Sequence, residues 1–193
     1  MNLALFSELS VREYYDSNVI QAAERRVFSI PDEELCARTG SDLIQNILDG
    51  LSPERLVLLG AVHETTHRAG DQSVRIRRWM EYSGSVRLLT LRPRQYYASP
   101  PHVSALQPSS TDQPGSIIIE HSVRSIAEET QFDEFCAAEY KKITDYAVWV
   151  NEDLDYYEQS ARSWLLTLVE TKKKRLCIEH EDEAELSAGE LYS

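Results

Sequence analysis

Cys136, Tyr140, Ile143, Ala147, Val150, Leu154, Tyr157, Ala161, Trp164 and Leu168 follow one another at spacings of 4, 3, 4, 3, 4, 3, 4, 3 and 4. That is the period of an α-helix with one apolar stripe. No Pro or Gly interrupts it from Gln131 to His180. A helix of ~45 residues runs about 68 Å at 1.5 Å per residue, more than the width of a small domain. Such a chain has two options. It folds the helix into a hairpin near Asn151-Glu152-Asp153, or it lets the helix project and pair with another chain. Ala and Tyr stand where a dedicated zipper carries Leu and Ile, so packing along the chain's own sheet is the simpler use. The sharper use is a contact seam of Tyr140, Ile143, Val150, Leu154, Tyr157, Trp164 and Leu168, for a protein partner or for self-association.

The remainder of the 193 residues is organised around that helix. Residues 1–121 are expected to form an α+β core, with N-terminal helices and a small, mainly antiparallel sheet. Residues 122–178 are the long helix or helical hairpin, packed on the core or projecting from it. Residues 179–193 carry six acids and no Lys or Arg, which suits a tail without fixed structure. In the first part, Pro31-Asp32-Glu33-Glu34 reads as a helix first turn. Ser41 is the expected cap of a helix over Asp42–Asp49, with Leu43, Ile44, Ile47 and Leu48 on its apolar face and Gly50 closing it. From Leu56 the period changes. Leu56–Leu59 is a short apolar run, and Val74 and Ile76 alternate with Arg75 and Arg77. Tyr82–Ser85 is a turn signal and Val86–Leu91 reads as a returning strand, which together predict a hairpin. Tyr96–Pro114 reads as a long loop, and Ile117–Ile119 as a central strand apolar on both faces.

Composition limits the function classes. Twenty Lys and Arg against 32 Asp and Glu give a net charge of −12, which argues against general coating of nucleic acid. No apolar run approaches the roughly 18 residues needed to cross a bilayer, and the N-terminus lacks the basic start of a secretory signal. Three widely spaced cysteines, Cys36, Cys136 and Cys177, suit a reducing cytoplasm, with Cys36 and Cys136 as small buried hydrophobes. The charge is uneven. Arg68 to Arg94 holds seven arginines and two acids, and Gln131 to Glu158 holds eight acids and two lysines. The two segments neutralise each other, or the arginines form an anion site for a nucleotide or nucleic acid, for which Arg75, Arg77 and Arg87 are the candidates. Lys172–Arg175 is expected to complement a helix C-terminus.

One motif carries catalytic chemistry. His63-Glu64-Thr65-Thr66-His67 matches H-E-x-x-H, which on a helix places two imidazoles one turn apart to chelate zinc, with Glu64 as general base. Its surroundings favour a loop between two strands instead. The two Thr lower helix propensity, Leu56–Gly60 reads as a strand, and Gly70 follows within a turn. Third-ligand candidates are Glu81, His102, Glu120 and His121. Glu120-His121 is weak as an acid/base pair, because adjacent strand residues face opposite ways. No phosphate-binding glycine loop and no nucleophile elbow is present.

Two further segments, RIRRWMEYSGSVRLLTLRPRQYYASPP (Arg75–Pro101) and YAVWVNEDLDYYEQSARSWLLTLVETKKKRL (Tyr146–Leu176), together resemble regions of bacterial conflict and antiphage-defence proteins. Those regions often precede a TIR or nuclease effector. The resemblance implies a sensor, adaptor or assembly subunit, and it carries over no catalytic residue. The first functional expectation is therefore a non-enzymatic interaction module without a cofactor. A zinc hydrolase built on His63, Glu64 and His67 stands second, and an anion-binding arginine hairpin third.

Overall fold

Ser10 and Glu13 begin the helical part of the chain with a reciprocal cap. The Ser10 N–H and hydroxyl donate to the Glu13 carboxylate at 3.0 and 2.6 Å, and the Glu13 N–H donates to Ser10 Oγ at 3.2 Å. The Ser10 donors hold the Glu13 carboxyl below its ordinary pKa. The computed structural model describes residues 3–68, 73–110 and 113–190, with side chains described as far as residue 178. A short strand β1 (Leu3–Ala4) precedes helix α1 (Val11–Tyr14), which runs through a π-turn at Tyr15–Ile20 into α2 (Gln21–Ser29). Helices α3 (Asp32–Ala37) and α4 (Gly40–Asp49) follow, then strands β2 (Val57–Arg68) and β3 (Val74–Ser83). A 3-10 turn at Val86–Leu89 leads to β4 (His102–Val103), β5 (Ala105–Gln107) and β6 (Gly115–Val123), and the chain ends in α5 (Ile126–Glu190). This is a small α+β fold of N-terminal helices, an antiparallel sheet and one long C-terminal helix.

Two compact units divide the chain, one taking Met1–Tyr14 and Pro53–Asp155, the other Tyr15–Ser52 and Tyr156–Ser193. The first unit holds a four-stranded sheet in the order β2-β3-β6-β5, with every neighbouring pair antiparallel, and a two-stranded pairing of β1 with β4. Ile117, Ile118 and Ile119 are all buried, as the apolar run predicts for a strand covered on both faces. The first half of α5 covers one face of β3 and β6. Phe132, Cys136, Tyr140, Ile143, Ala147, Val150 and Leu154 are buried on it, each aliphatic side chain contributing about 1.5–3 kcal/mol. In the second unit, Val19, Ala23, Val27, Leu35, Leu43, Ile44 and Leu48 share the buried set with Ala161, Leu165 and Val169 of α5.

Several local expectations change. Residues 151–153 are not the turn of a helical hairpin, because α5 is a single element of 65 residues. Thr39, not Ser41, caps α4, and its Oγ1 accepts from the Asp42 N–H at 3.2 Å. Val86–Leu89 is a helical turn rather than a returning strand, and the reason is burial. Leu88 and Leu89 are consecutive and both fully buried, whereas a strand would turn one of them outward. Gly84 makes that turn at φ +94, where a Cβ would collide with the Arg55 carbonyl oxygen. The span expected as one loop, Tyr96–Pro114, contains β4 and β5. Cys36 is exposed, unlike Cys136. Finally, Lys172–Arg175 lies within α5 rather than at its end. Lys172 Nζ donates to the Phe28 and Ile30 carbonyls at 3.2 and 2.6 Å, and Lys173 Nζ to the Arg38 carbonyl at 2.7 Å. The C-terminal carbonyls complemented are those of α2 and α3 rather than of α5 itself. Of the segment expected as an acidic tail without fixed structure, 179–193, residues 179–190 continue α5 and residues 191–193 lie outside the described residues.

Candidate functional site

The HETTH residues lie inside β2, which pairs along its length with β3: His63 opposite Trp79, Glu64 opposite Arg78, Thr65 opposite Arg77, Thr66 opposite Ile76 and His67 opposite Arg75. They are neither a helix nor a loop. Extended backbone rises about 3.3 Å per residue, so four residues place the His63 and His67 backbones roughly 13 Å apart. Zinc–imidazole bonds are ~2.0–2.1 Å, and this conformation does not bring the two rings to one ion. Glu64 faces the opposite side of the strand from both. Each residue has local work. The His63 ring stacks on Trp79 at 5.2 Å, and Glu64 accepts from Arg78 at 2.7 Å.

Arg78 gathers a cluster under α5. It bridges Glu64 and, at 2.8 Å, Asp133, and its guanidinium lies 5.5 Å from the Phe132 ring centre. On the other face of the sheet, Arg75 approaches Glu120 at 3.6 Å. Arg77 Nε is buried without a hydrogen-bond partner among the described residues. Arg87 belongs to a different place. It sits on the 3-10 turn and pairs with Glu8 at 3.1 Å, so the three arginines expected to share an anion site do not converge.

The acids of α5 are structural partners. Asp153, 4% exposed, accepts from the Arg94 N–H at 2.7 Å and from Arg94 Nε at 2.6 Å. Glu139, equally buried, accepts from the His102 N–H and from Lys142 Nζ, both at 2.6 Å. Asp155 pairs with Arg55 at 2.7 Å. Asn151 plays the part of a neighbouring strand: its amide accepts from the Leu56 N–H at 3.1 Å and donates to the Leu56 carbonyl at 2.7 Å. Charge complementarity inside the first unit is thus the use made of much of the basic and acidic segments.

The apolar seam is largely internal. Tyr140, Ile143, Val150 and Leu154 are buried, whereas Trp164 is 44% exposed and Tyr157 and Leu168 are half-buried. Beyond Ala161 the buried positions are Leu165 and Val169, a 4, 4 spacing in place of 3, 4. A straight helix at 3.6 residues per turn drifts ~20° per heptad against a 3.5 repeat. After three heptads the next residue round faces inward.

A cavity of about 310 Å³ opens between β4, β6 and the first turns of α5, lined by His102, Ser104, His121, Glu128, Phe132 and Phe135 among others. His121 stacks on Phe132 at 5.7 Å, while the Glu120 carboxylate meets Arg75 on the opposite face. The two neighbours therefore form no acid/base pair. Glu81 shares the His63 face of the sheet, two residues before the end of β3.

Sequence reasoning found only the start of the edge strand β2, as the run Leu56–Gly60, and not its continuation through HETTH. Every residue of β2 is exposed except the half-buried Leu58, and Val57, Leu59 and Val62 are among the exposed large hydrophobics. Its signal was an alternating polar run, Val62–Arg68, in which neither face is apolar. Leu59–Ala61 bulges between the two paired stretches, with Gly60 at φ +102, a value that favours glycine. Among the described residues, the edge of β2 away from β3 has no strand beside it. Among the described residues no helix is long and apolar enough to cross a membrane. No protein-family model, curated protein or solved structure matches this chain.

Proposed function

We propose that this chain is a non-enzymatic protein-interaction module, an assembly or adaptor subunit that docks through the free edge of β2. The observation that carries the reading is a twelve-residue edge strand exposed on both faces. Unpaired strand edges are templates for another strand, and proteins usually shorten or cover them. Two further observations support it. The seam of α5 is spent largely on the chain's own core, and the carboxylates and arginines that would serve chemistry are engaged with one another. The setting implied by the resemblance, a sensor or adaptor beside an effector in an antiphage system, uses the same kind of docking.

Selection of a random-peptide library on the purified chain tests the reading. Extended, alternating peptides should be enriched, and their binding should disappear in a variant carrying Val62→Lys and Thr66→Lys on the edge. A library that yields no binder, or binders indifferent to those changes, counts against it.

A further inference from the structure

Resting on that reading, we infer that the strand accepted by β2 is β2 of a second copy, paired antiparallel about a two-fold axis at Thr66. The regular segment Val62–Arg68 sets the register. Side chains alternate along a strand, and directly opposed residues of an antiparallel pair share a face. A two-fold between identical strands must therefore pass through a residue, not between two. Val62, Glu64, Thr66 and Arg68 share one face, because their β3 partners are Met80, Arg78, Ile76 and Val74. His63, Thr65 and His67 share the other.

The two charges on the first face, four residues apart and opposite in sign, choose among the remaining registers. An axis at Thr66 puts each Glu64 opposite the Arg68 of the other copy, and it does so twice. An axis at Glu64 opposes the two carboxylates to each other. An axis at Thr65 sets Arg68 against Val62 and leaves Glu64 opposite Thr66. Opposed charges stabilise a cross-strand pair and like charges destabilise it, so only the first register satisfies both groups. Glu64 already accepts from Arg78, yet its side chain is 44% exposed and a carboxylate has acceptor capacity for a second guanidinium. The bulge at Leu59–Ala61 ends the regular ladder on one side. The result is one sheet of eight strands, with both outer edges formed by the three-residue β5.

Cross-linking and charge exchange test this in the full chain. With Cys36→Ser and Cys177→Ser removing the exposed thiols, mild oxidation of Thr66→Cys should give a disulfide-linked dimer, because the axis brings those two positions face to face. Thr65→Cys, opposed to His67, should cross-link far more slowly. In light scattering, Arg68→Glu should weaken the dimer on the order of tenfold, the effect of exchanging two favourable pairs for two repulsive ones. Adding Glu64→Arg to Arg68→Glu should restore it, with circular dichroism confirming that each variant is folded. Equal cross-linking of the two cysteine variants, or a dimer indifferent to every change in β2, overturns the self-pairing. A strict monomer that still selects extended peptides at β2 also overturns it while leaving the docking edge intact. A monomer that selects none removes both.

Discussion

Cys136 and Asn151 show how much a single side chain of α5 does for the first unit. Cys136 is buried between Arg78 and Tyr140, and burial pushes its thiol up to about 11. A thiol raised in this way stays protonated in the fold while the unfolded chain ionises from about pH 8.5. Its contribution to stability is therefore complete below that pH and declines as pH rises toward 11. Denaturant unfolding at a series of pH values should show the decline beginning near 9, and Cys136→Ala should flatten its first part. At pH 8 a thiol reagent should label Cys36 and Cys177 at once and Cys136 only on unfolding. Asn151 completes the hydrogen bonding of Leu56 with both of its amide atoms. Asn151→Ala leaves a partly buried N–H and C=O without partners, and a loss of about 1–3 kcal/mol is expected from urea titration.

Among the elements, α5 is the one whose period could be read directly, and the one where the reading fails at an identifiable place. A strict heptad reading puts Trp164 and Leu168 on the buried stripe, whereas the three-dimensional packing selects Leu165 and Val169. Substitutions distinguish the two alignments. Leu165→Ala and Ile143→Ala should each cost about 2–5 kcal/mol, the usual range for emptying a buried aliphatic site. Trp164→Ala should change stability by less than about 1 kcal/mol, since much of that ring is already in water. Thermal unfolding of the three variants decides it, and a large loss at Trp164 would restore the heptad stripe. The β2–β3 pair is the opposite case. Tyr82, expected in the turn, lies inside β3, and that strand was legible only at its start, where Val74 and Ile76 alternate with Arg75 and Arg77. Its partner was not legible through HETTH, because a strand uncovered on both faces has no reason to alternate apolar with polar. The hairpin partner expected after Gly84 lies before residue 74 instead.

For the whole chain, the charge of −12 says less than its distribution. Arg75, Arg78, Arg87 and Arg94 of the basic segment are paired with Glu120, with Glu64 and Asp133, with Glu8 and with Asp153. Such pairs, where exposed, are each worth about 0–1 kcal/mol, but they remove the positive field a phosphate backbone needs. A fluorescent single-stranded oligonucleotide should therefore show no salt-sensitive binding. Binding that falls steeply with salt and is lost in Arg75→Ala with Arg77→Ala would reverse that conclusion.

Periodicity is a local property, and whatever depends on local periodicity can be read from the residues in order. The long uninterrupted helix, the α+β class and the doubly apolar Ile117–Ile119 strand all belong to that group. Pairings between distant segments leave no such trace. Leu56 meets Asn151 across 95 residues and Arg94 meets Asp153 across 59, and neither bond imposes a pattern on its neighbours. The same holds for HETTH. Five residues that spell a metal site on a helix spell an edge strand when β3 supplies the hydrogen bonds, because backbone geometry sets how far apart two imidazoles stand. The seam holds from Cys136 to Ala161, about seven turns at 3.6 residues per turn. Its end is set by the drift of a straight helix against a seven-residue repeat, which shows only once the surfaces packed against that helix are in place.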